Sequence, residues 1–254
     1  MQLTGDTVCG AAPIFTGPQP AILDLNGYVL DLNGKNITLA AGADLTITDS
    51  DSQKPHCFDS STAPWIPVDN SSENTETVRG GVITGGIATH GGAIYVSNDA
   101  FLTLQGGNIA GNKAEENGGA VNNQGTCRMT GGSIAGNTAG EEGDGLYNPG
   151  SFEITGGSID DTIADKIDNG STFKTKVTLN LGDGSGSTAS VTATRGQVMP
   201  AVTDGGEAIP APSREGYIFE GYEDADGKLY YDDEGSSIAD WDKLKVTALY
   251  ARFT

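Results

Sequence analysis

Apolar and polar residues alternate in short runs through the first two thirds of the chain. In the runs 101–109, 126–134 and 151–159 the apolar side chains fall two positions apart, and each run starts 25 residues after the previous one. A period of two predicts a strand with one buried face. The spacing i, i+3, i+4 of an amphipathic helix does not run through this region, so the pattern predicts an all-β fold.

Aligning these runs predicts columns of stacked side chains. Self-similarity at a fixed period of 20 to 50 residues indicates a solenoid, and paired glycines between the runs suit its sharp corners. We therefore predict a parallel β-helix over residues 1–161, with residues 1–20 capping its first coil. The predicted columns are Leu102, Cys127 and Phe152; Leu104, Met129 and Ile154; Ile83, Ile109, Ile134 and Ile159; and Ile94, Val121 and Leu146.

Two asparagines recur beside the glycine corners. Asn112 and Asn137 are 25 residues apart, and stacked side-chain amides can hydrogen-bond from one coil to the next. The next equivalent position, 162, is a threonine. We therefore expect the asparagine column to break there and the helix to end.

One segment interrupts the regularity. Residues 48–79 are too long for a corner and are rich in Ser, Asp and Pro, with Trp65 and Ile66 in the middle. Long loops in compact domains are often functional, which makes both residues candidates for ligand contact. In the alternative interpretation, the segment folds back and covers the side of the helix.

Arg128 and Glu153 are the other candidate contact residues. They share an outward-facing column one coil apart, so their side chains are not needed to fill the stacked core. They also suit a surface ion pair, which contributes little stability.

The last third has a different pattern. After residue 161 the 25-residue period stops, residues 162–176 form a predicted linker, and short strands follow, with five of the eight tyrosines beyond position 210. Residues 177–254 resemble the InlB B-repeat (Listeria–Bacteroides repeat) family in "REGYIFEGY", "DGK" and "TALYARF". The family usually has Trp where Tyr222 and Phe253 stand here. This resemblance implies a small C-terminal β-grasp-like domain of a bacterial surface protein.

The first region has its own resemblance. "LDLNG", "GADLTITD" and "GGSIAGN" are similar to the right-handed β-helix regions of secreted and surface bacterial proteins, which include pectate-lyase-like enzymes. The resemblance implies the fold and an extracellular, cell-surface or cell-wall location. We expect any export signal or wall anchor to lie outside this sequence.

Charge excludes one class of partner. The net charge is −20, and binding nucleic acid needs clustered Lys and Arg. No stretch approaches the length of a membrane span, so we expect no membrane insertion by this chain. We expect a monomer.

The sequence predicts no catalytic residues, cofactor or metal. Cys9, Cys57 and Cys127 form no CxxC motif, and His56 beside Cys57 lacks further ligands at suitable spacing. Cys127 lies in an apolar column and is expected to be a buried thiol. Export would permit a disulfide between Cys9 and Cys57, and the sequence leaves open whether it forms.

Two function classes remain. The first is a non-enzymatic adhesin or stalk fragment that binds a host or matrix protein or a glycan. The second is a polysaccharide lyase or glycoside hydrolase on the helix. Carboxylate pairs at Asp49 and Asp51 and at Asp160 and Asp161 could serve calcium binding or acid–base chemistry or could be solvated turns. The six bases of the helix region do not cluster with them, which favours the first class.

Overall fold

A computed structural model describes residues 1–68, 74–165 and 172–254. The chain divides into two compact units, Met1–Thr172 and Phe173–Thr254. All regular structure in the described residues is β-strand, which confirms the all-β prediction. The described part of the chain contains no helical segment long and apolar enough for a membrane crossing.

The first unit contains short strands separated by tight turns. In chain order they are β1 (Thr7–Val8), β2 (Ile14–Phe15), β3 (Ala21–Asp24), β4 (Val29–Asp31), β5 (Ile37–Leu39), β6 (Asp44–Thr48), β7 (Pro55–Asp59), β8 (Ile66–Val68), β9 (Thr75–Arg79), β10 (Val82–Thr84), β11 (Ile87–Ala88), β12 (Ile94–Val96), β13 (Phe101–Leu104), β14 (Asn108–Ala110), β15 (Lys113–Ala114), β16 (Val121–Asn123), β17 (Thr126–Ala135), β18 (Thr138–Ala139), β19 (Leu146–Asn148), β20 (Ser151–Ile159) and β21 (Ile163–Asp165).

Parallel pairing stacks equivalent strands of successive repeats. Strands β2, β5, β12, β16, β19 and β21 lie side by side in one sheet, and β11, β15 and β18 form another. In the largest sheet, the successive neighbours are β1, β4, β10, β14, β17 and β20. In the same sheet β3 pairs with β6, β6 with β13, and β13 with the first half of β17. This arrangement is compatible with a β-helix-like solenoid.

The strand register confirms the predicted columns. Leu102 pairs with Cys127 and Cys127 with Phe152, and Ile109 is followed by Ile134 and Ile159. These side chains are at most 3% exposed, so each repeat covers the apolar face of its neighbour. The inward candidates of the early coils, which are Leu23, Leu25, Ile37, Leu39, Leu45 and Ile47, are also buried.

The segments predicted as the N-terminal cap and the linker both contain strands in the structure. β1 and β2 pair with β4 and β5, so residues expected to cap the stack contribute strands to it. β21 lies inside the predicted 162–176 linker and pairs with β19. Residues 166–171 of that linker lie outside the described residues.

The asparagine column does not end as the sequence predicts. Asn137 Oδ1 accepts hydrogen bonds from the Asn112 backbone N–H at 2.9 Å and from Asn112 Nδ2 at 3.0 Å. One coil further, the Asp161 carboxylate accepts from the Asn137 backbone N–H at 3.0 Å and from Asn137 Nδ2 at 2.8 Å. A carboxylate accepts these hydrogen bonds as well as an amide oxygen does. Asp161 therefore replaces the asparagine, and Thr162 does not interrupt the column.

The second unit is a mixed five-stranded sheet. Its strands are β22 (Thr172–Asn180), β23 (Thr188–Thr194), β24 (Phe219–Glu223), β25 (Leu229–Tyr231) and β26 (Thr247–Phe253). β22 lies parallel to β26 and antiparallel to β23, and β24 joins β26 to β25 by antiparallel pairing. Its core is aromatic, with Tyr222, Tyr230, Tyr231 and Trp241 fully buried.

Candidate functional site at the flap

The segment predicted as a loop contains a small antiparallel sheet. β8 and β9 both pair with β7, and we call residues 55–68 and 74–79 the flap. Residues 69–73 of the predicted loop lie outside the described residues. The prediction of irregular structure was wrong for β7, β8 and β9, because Phe58 and Val78 pack against apolar residues of the parallel sheet. Residues 49–54 and 60–65 are irregular, as predicted.

The flap packs on the outward face of the stack. Phe58 is fully buried with Val29, Val82 and Ala110, and Val78 packs against this cluster. Val82 pairs with Val29 on one side and Asn108 on the other, and Asn108 pairs with Ser133. In this outward-facing column, Val29 and Val82 pack against the flap, and the next two residues, Asn108 and Ser133, are polar.

Trp65 closes the flap onto two glycine corners. Its backbone N–H donates to the Gly111 carbonyl at 2.8 Å, and its ring centre lies 6.1 Å from that of Phe58. A Cβ built on Gly111 or Gly136 would approach ring atoms of Trp65 to 2.2 and 2.0 Å. Both positions therefore require glycine, and the structure places Trp65 as the covering interpretation expects. Its role in ligand contact stays a prediction.

A cleft of ≈ 410 Å³ lies along one side of the flap. Trp65 is half-buried there, and hydroxyl groups surround the cleft together with the exposed carboxylate of Glu76. We call this the Trp65 cleft. It is lined by Ser60, Ser61, Thr62, Ala63, Trp65, Glu76, Gly136, Asn137 and Thr138.

A second cleft of ≈ 400 Å³ lies between the flap and the first coil. Its floor includes Val8 and Asp31, and its other wall includes His56, Cys57 and Val68. Asp31 Oδ1 accepts the Asn33 backbone N–H at 2.7 Å, and His56 Nε2 lies 2.7 Å from the Gly27 carbonyl oxygen. These polar groups are therefore already engaged by the backbone.

The other predicted contact residues lie apart from the Trp65 cleft lining. Ile66 is in β8, at the edge of the flap sheet, and is 58% exposed. Arg128 and Glu153 are register partners on β17 and β20, with the guanidinium and carboxylate 3.5 Å apart. The structure thus joins Arg128 to Glu153 but does not bring either into the lining of the cleft.

The carboxylates singled out in the helix region hold turns. Asp49 accepts the backbone N–H groups of Gly27 at 2.7 Å and Gly81 at 2.8 Å. Asp161 accepts the Gly136 N–H at 2.7 Å, whereas Asp160 is exposed. Asp51 accepts the Gln53 N–H at 3.2 Å. Asp49, Asp51 and Asp161 therefore accept backbone hydrogen bonds at turns, as the interpretation of these carboxylates as turn residues expects.

Asp24 shows the electrostatic consequence of such bonding. Its partial burial acts to raise its pKa, but hydrogen bonds from Ser50, Asn26 and Gln2 outweigh burial and hold the pKa below its usual value. Hydrogen bonds to the charged form have this effect. Within the ranges that the structure describes, no group of three or more His, Cys, Asp or Glu side chains is arranged to hold a metal ion.

The cysteines differ in burial. Cys9 and Cys57 are half-buried free thiols, and Cys57 Sγ lies 3.8 Å from Thr77 Oγ1. Burial, then the charge of Asp31, raises the pKa of Cys9. Cys57 lines the second cleft, while the Cys9 backbone N–H donates to the Asp31 carbonyl at 2.8 Å. A disulfide between them stays a prediction.

Sequence reasoning did not find the hydroxyl-bearing wall of the Trp65 cleft. Ser60, Ser61 and Thr62 come from the flap, whereas Thr138 follows a glycine corner of the stack. The runs 55–59 and 75–79 do not alternate apolar and polar residues, so they carried no clear strand signal. No sequence signal showed which corner the flap would cover.

Comparisons with known proteins add no assignment. No family model, curated protein or solved structure matches this chain.

Proposed function

We propose that this chain is part of a non-enzymatic bacterial surface protein, an adhesin or stalk, that binds a host or matrix protein or a glycan through the Trp65 cleft. The first unit would be a right-handed parallel β-helix. Repeated parallel pairing at 25-residue intervals supports this architecture, and right-handed crossovers are the rule between parallel strands. The location would be extracellular, at the cell surface or cell wall.

The second unit would be a B-repeat module with a β-grasp-like fold. The parallel pairing of its first and last strands supports this proposal, as does the burial of Tyr222 at a position where the family usually has Trp. Phe253 lies half-buried with its ring centre 5.8 Å from that of Phe219. In this proposal the module acts as a spacer or a second binding unit.

The Trp65 cleft is the observation that carries the binding proposal. Along the stack, inward side chains fill the core and the glycines at positions 111 and 136 are committed to flap packing. The cleft instead presents one half-buried indole beside several hydroxyl groups and a carboxylate. A few polar groups around an aromatic wall suit the recognition of a small part of a larger ligand.

The binding test should fill the cleft without disturbing the flap. Thr138 is exposed on the cleft wall, so Thr138→Trp occupies the space while leaving Trp65 and Phe58 in place. The matched control is Thr103→Trp, on an outward position of β13 whose register partner is Arg128. Both variants should keep the wild-type melting temperature.

Binding of the full chain would be measured on a glycan array and on immobilised matrix proteins. We expect Thr138→Trp to weaken the ligand detected with wild-type protein by about tenfold or more, and Thr103→Trp to leave it unchanged. Equal binding by both variants would contradict the cleft proposal. A parallel assay on pectin and alginate tests for cleavage, and saturable turnover by the wild-type chain would overturn the non-enzymatic proposal.

A further inference from the structure

The second unit carries an exposed aromatic and cationic surface that the proposed flap site does not use. A cleft of ≈ 520 Å³ is bordered by Arg214, Tyr250, Asn180 and the turn of residues 182–187. Tyr250 is 50% exposed, and Tyr217, beside Arg214, is 51% exposed. We call these residues the Arg214 surface.

Arg214 lies over two aromatic rings. Its guanidinium carbon lies 4.3 Å from the ring centre of Tyr217 and 6.0 Å from that of Phe253. The Tyr217 backbone N–H donates to the Arg214 carbonyl at 3.0 Å, which fixes the turn between them. Stacking orients a planar guanidinium while leaving its N–H groups at the ring edge free to donate.

The guanidinium of Arg214 has no hydrogen-bond or ion-pair partner among the described residues. Arg252, by contrast, lies 2.8 Å from Glu220 and 3.4 Å from Glu223, and Arg128 lies 3.5 Å from Glu153. In a protein of net charge −20, an unpaired and preoriented arginine is the exception. Its fork geometry matches a carboxylate through two parallel hydrogen bonds.

The neighbouring groups suit a sugar ring. Tyr250 pairs in register with Asn180 across β26 and β22, so both side chains lie on the same face of the sheet. Exposed aromatic rings can stack on the apolar face of a pyranose, and an amide can bond adjacent hydroxyls. Ser187 adds a further hydroxyl at the rim.

The Asp183 carboxylate at the same turn is engaged locally. It accepts the Ser185 N–H at 2.9 Å and the Ser185 hydroxyl at 2.6 Å. The hydrogen bonds from Ser185 lower the pKa of Asp183, so it stays ionised at neutral pH. Asp183 repels a ligand carboxylate, whereas Arg214, the cationic side chain of the cleft lining, attracts it.

We propose that the Arg214 surface binds a carboxylated saccharide of the uronic acid class, with the carboxylate on Arg214 and the sugar ring on Tyr250. This site is in the second unit and is independent of the Trp65 cleft. A neutral glycan leaves the Arg214 fork unused, and a peptide carboxylate leaves the Tyr250 and Asn180 pair unused.

The test compares a carboxylate with its ester on the same sugar. Calorimetry of the full chain would use trigalacturonate and its methyl-esterified form as probes. We expect the wild-type chain to bind trigalacturonate at least about tenfold more tightly than the ester. Arg214→Gln should remove this preference, and Arg214→Lys should restore only part of it because an ammonium lacks the fork.

Two further variants separate ligand contact from folding. Tyr250→Ala should weaken both probes severalfold, whereas Arg252→Gln, which removes an arginine already paired with glutamates, should change neither. Melting temperatures would be measured for every variant. The proposal would be overturned by equal binding of acid and ester, by binding that Arg214→Gln leaves unaffected, or by no saccharide binding at millimolar concentration.

Discussion

The two units bury apolar surface in different ways. In the first unit, aliphatic side chains stack on their own equivalents one repeat away, as in the column from Ile83 through Ile109 and Ile134 to Ile159. In the second, large aromatic residues meet once: Trp241 packs on Tyr230 with ring centres 5.2 Å apart, and Tyr222 meets Tyr231 edge to face.

This difference determines how the stability of each unit responds to substitutions in its core. A stack depends on nearest-neighbour contacts between repeats, so a defect in one coil removes support from the coils on both sides. A single aromatic core shares its contacts among many partners. Substitutions in the two units therefore test whether the stack or the aromatic cluster is more sensitive.

The largest effect is expected for Ile134→Asp. Ile134 is 2% exposed and has isoleucine register partners in both neighbouring coils. An unpaired carboxylate there would cost about 4 kcal/mol or more. Chemical denaturation measures the loss, and Ile134→Val, which should cost about 1 kcal/mol, is the control. Near wild-type stability of Ile134→Asp would show that the 25-residue register is wrong.

Trp241→Ala should have the next largest effect. Trp241 is fully buried, and its removal leaves a large cavity beside Tyr230, at a cost of about 3–5 kcal/mol. Trp241→Phe should cost much less, because the buried indole N–H has no hydrogen-bond partner in the described residues. Similar losses for the two variants would mean that the indole N–H contributes a bond.

Asn137→Ala tests the polar part of the stack. Asn137 is 4% exposed, and its loss removes an acceptor from Asn112 and the donor to the Ile109 carbonyl. Buried groups left unsatisfied should cost about 2–3 kcal/mol in total. Thermal unfolding measures the change, with Asn98→Ala at an exposed position as the control. Equal melting temperatures for both variants would mean that the hydrogen bonds of the asparagine column do not contribute to stability.

The parts of this fold that repeat are the parts that sequence reasoning found. A column is visible in sequence because Leu102, Cys127 and Phe152 recur at one spacing. Asp161 was missed because a carboxylate makes the bonds of an asparagine while breaking the letter pattern. The flap was missed because its contacts, such as Trp65 against Gly136, occur once and leave no period.

For the candidate sites too, sequence reasoning located residues that belong to the repeat and missed those that do not. Arg128 and Glu153 could be placed from the repeat, and the structure pairs them. The lining of the Trp65 cleft combines residues from the flap with residues 136–138 of one glycine corner of the stack, and only the folded chain brings these segments together. Deleting residues 53–72 is a poor test of this site, because it would remove buried Phe58 with the cleft.

Cys127 offers a pH-dependent test of burial within a column. Burial raises the pKa of this thiol from 9.0 to about 12. The folded state thus favours the neutral thiol, and its stability advantage, complete below pH 9, is lost as pH rises toward 12. The loss at pH 10 should be about 1.4 kcal/mol.

The measurement is the difference in unfolding free energy between wild type and Cys127→Ala from pH 8 to pH 10.5. The variant should lack this component of the alkaline decline, although it loses some packing at every pH. In native protein that has first been reduced, Cys127 should also resist at pH 8 the thiol reagents that label Cys9 and Cys57. Parallel pH curves for the two proteins would contradict the inferred burial.

Arg128→Ala should have the smallest effect. Arg128 lies between the inward-facing Cys127 and Met129 on β17 and points outward. Its side chain is 55% exposed, and that of its register partner Glu153 is 33% exposed. Water and salt screen such a pair, and holding two long side chains together costs entropy. We expect a change within about 0.5 kcal/mol in unfolding free energy, with no dependence on salt beyond that amount. A double-mutant cycle with Glu153→Ala checks this, and a coupling above about 1 kcal/mol would mean that outward columns stabilise the stack as inward columns do.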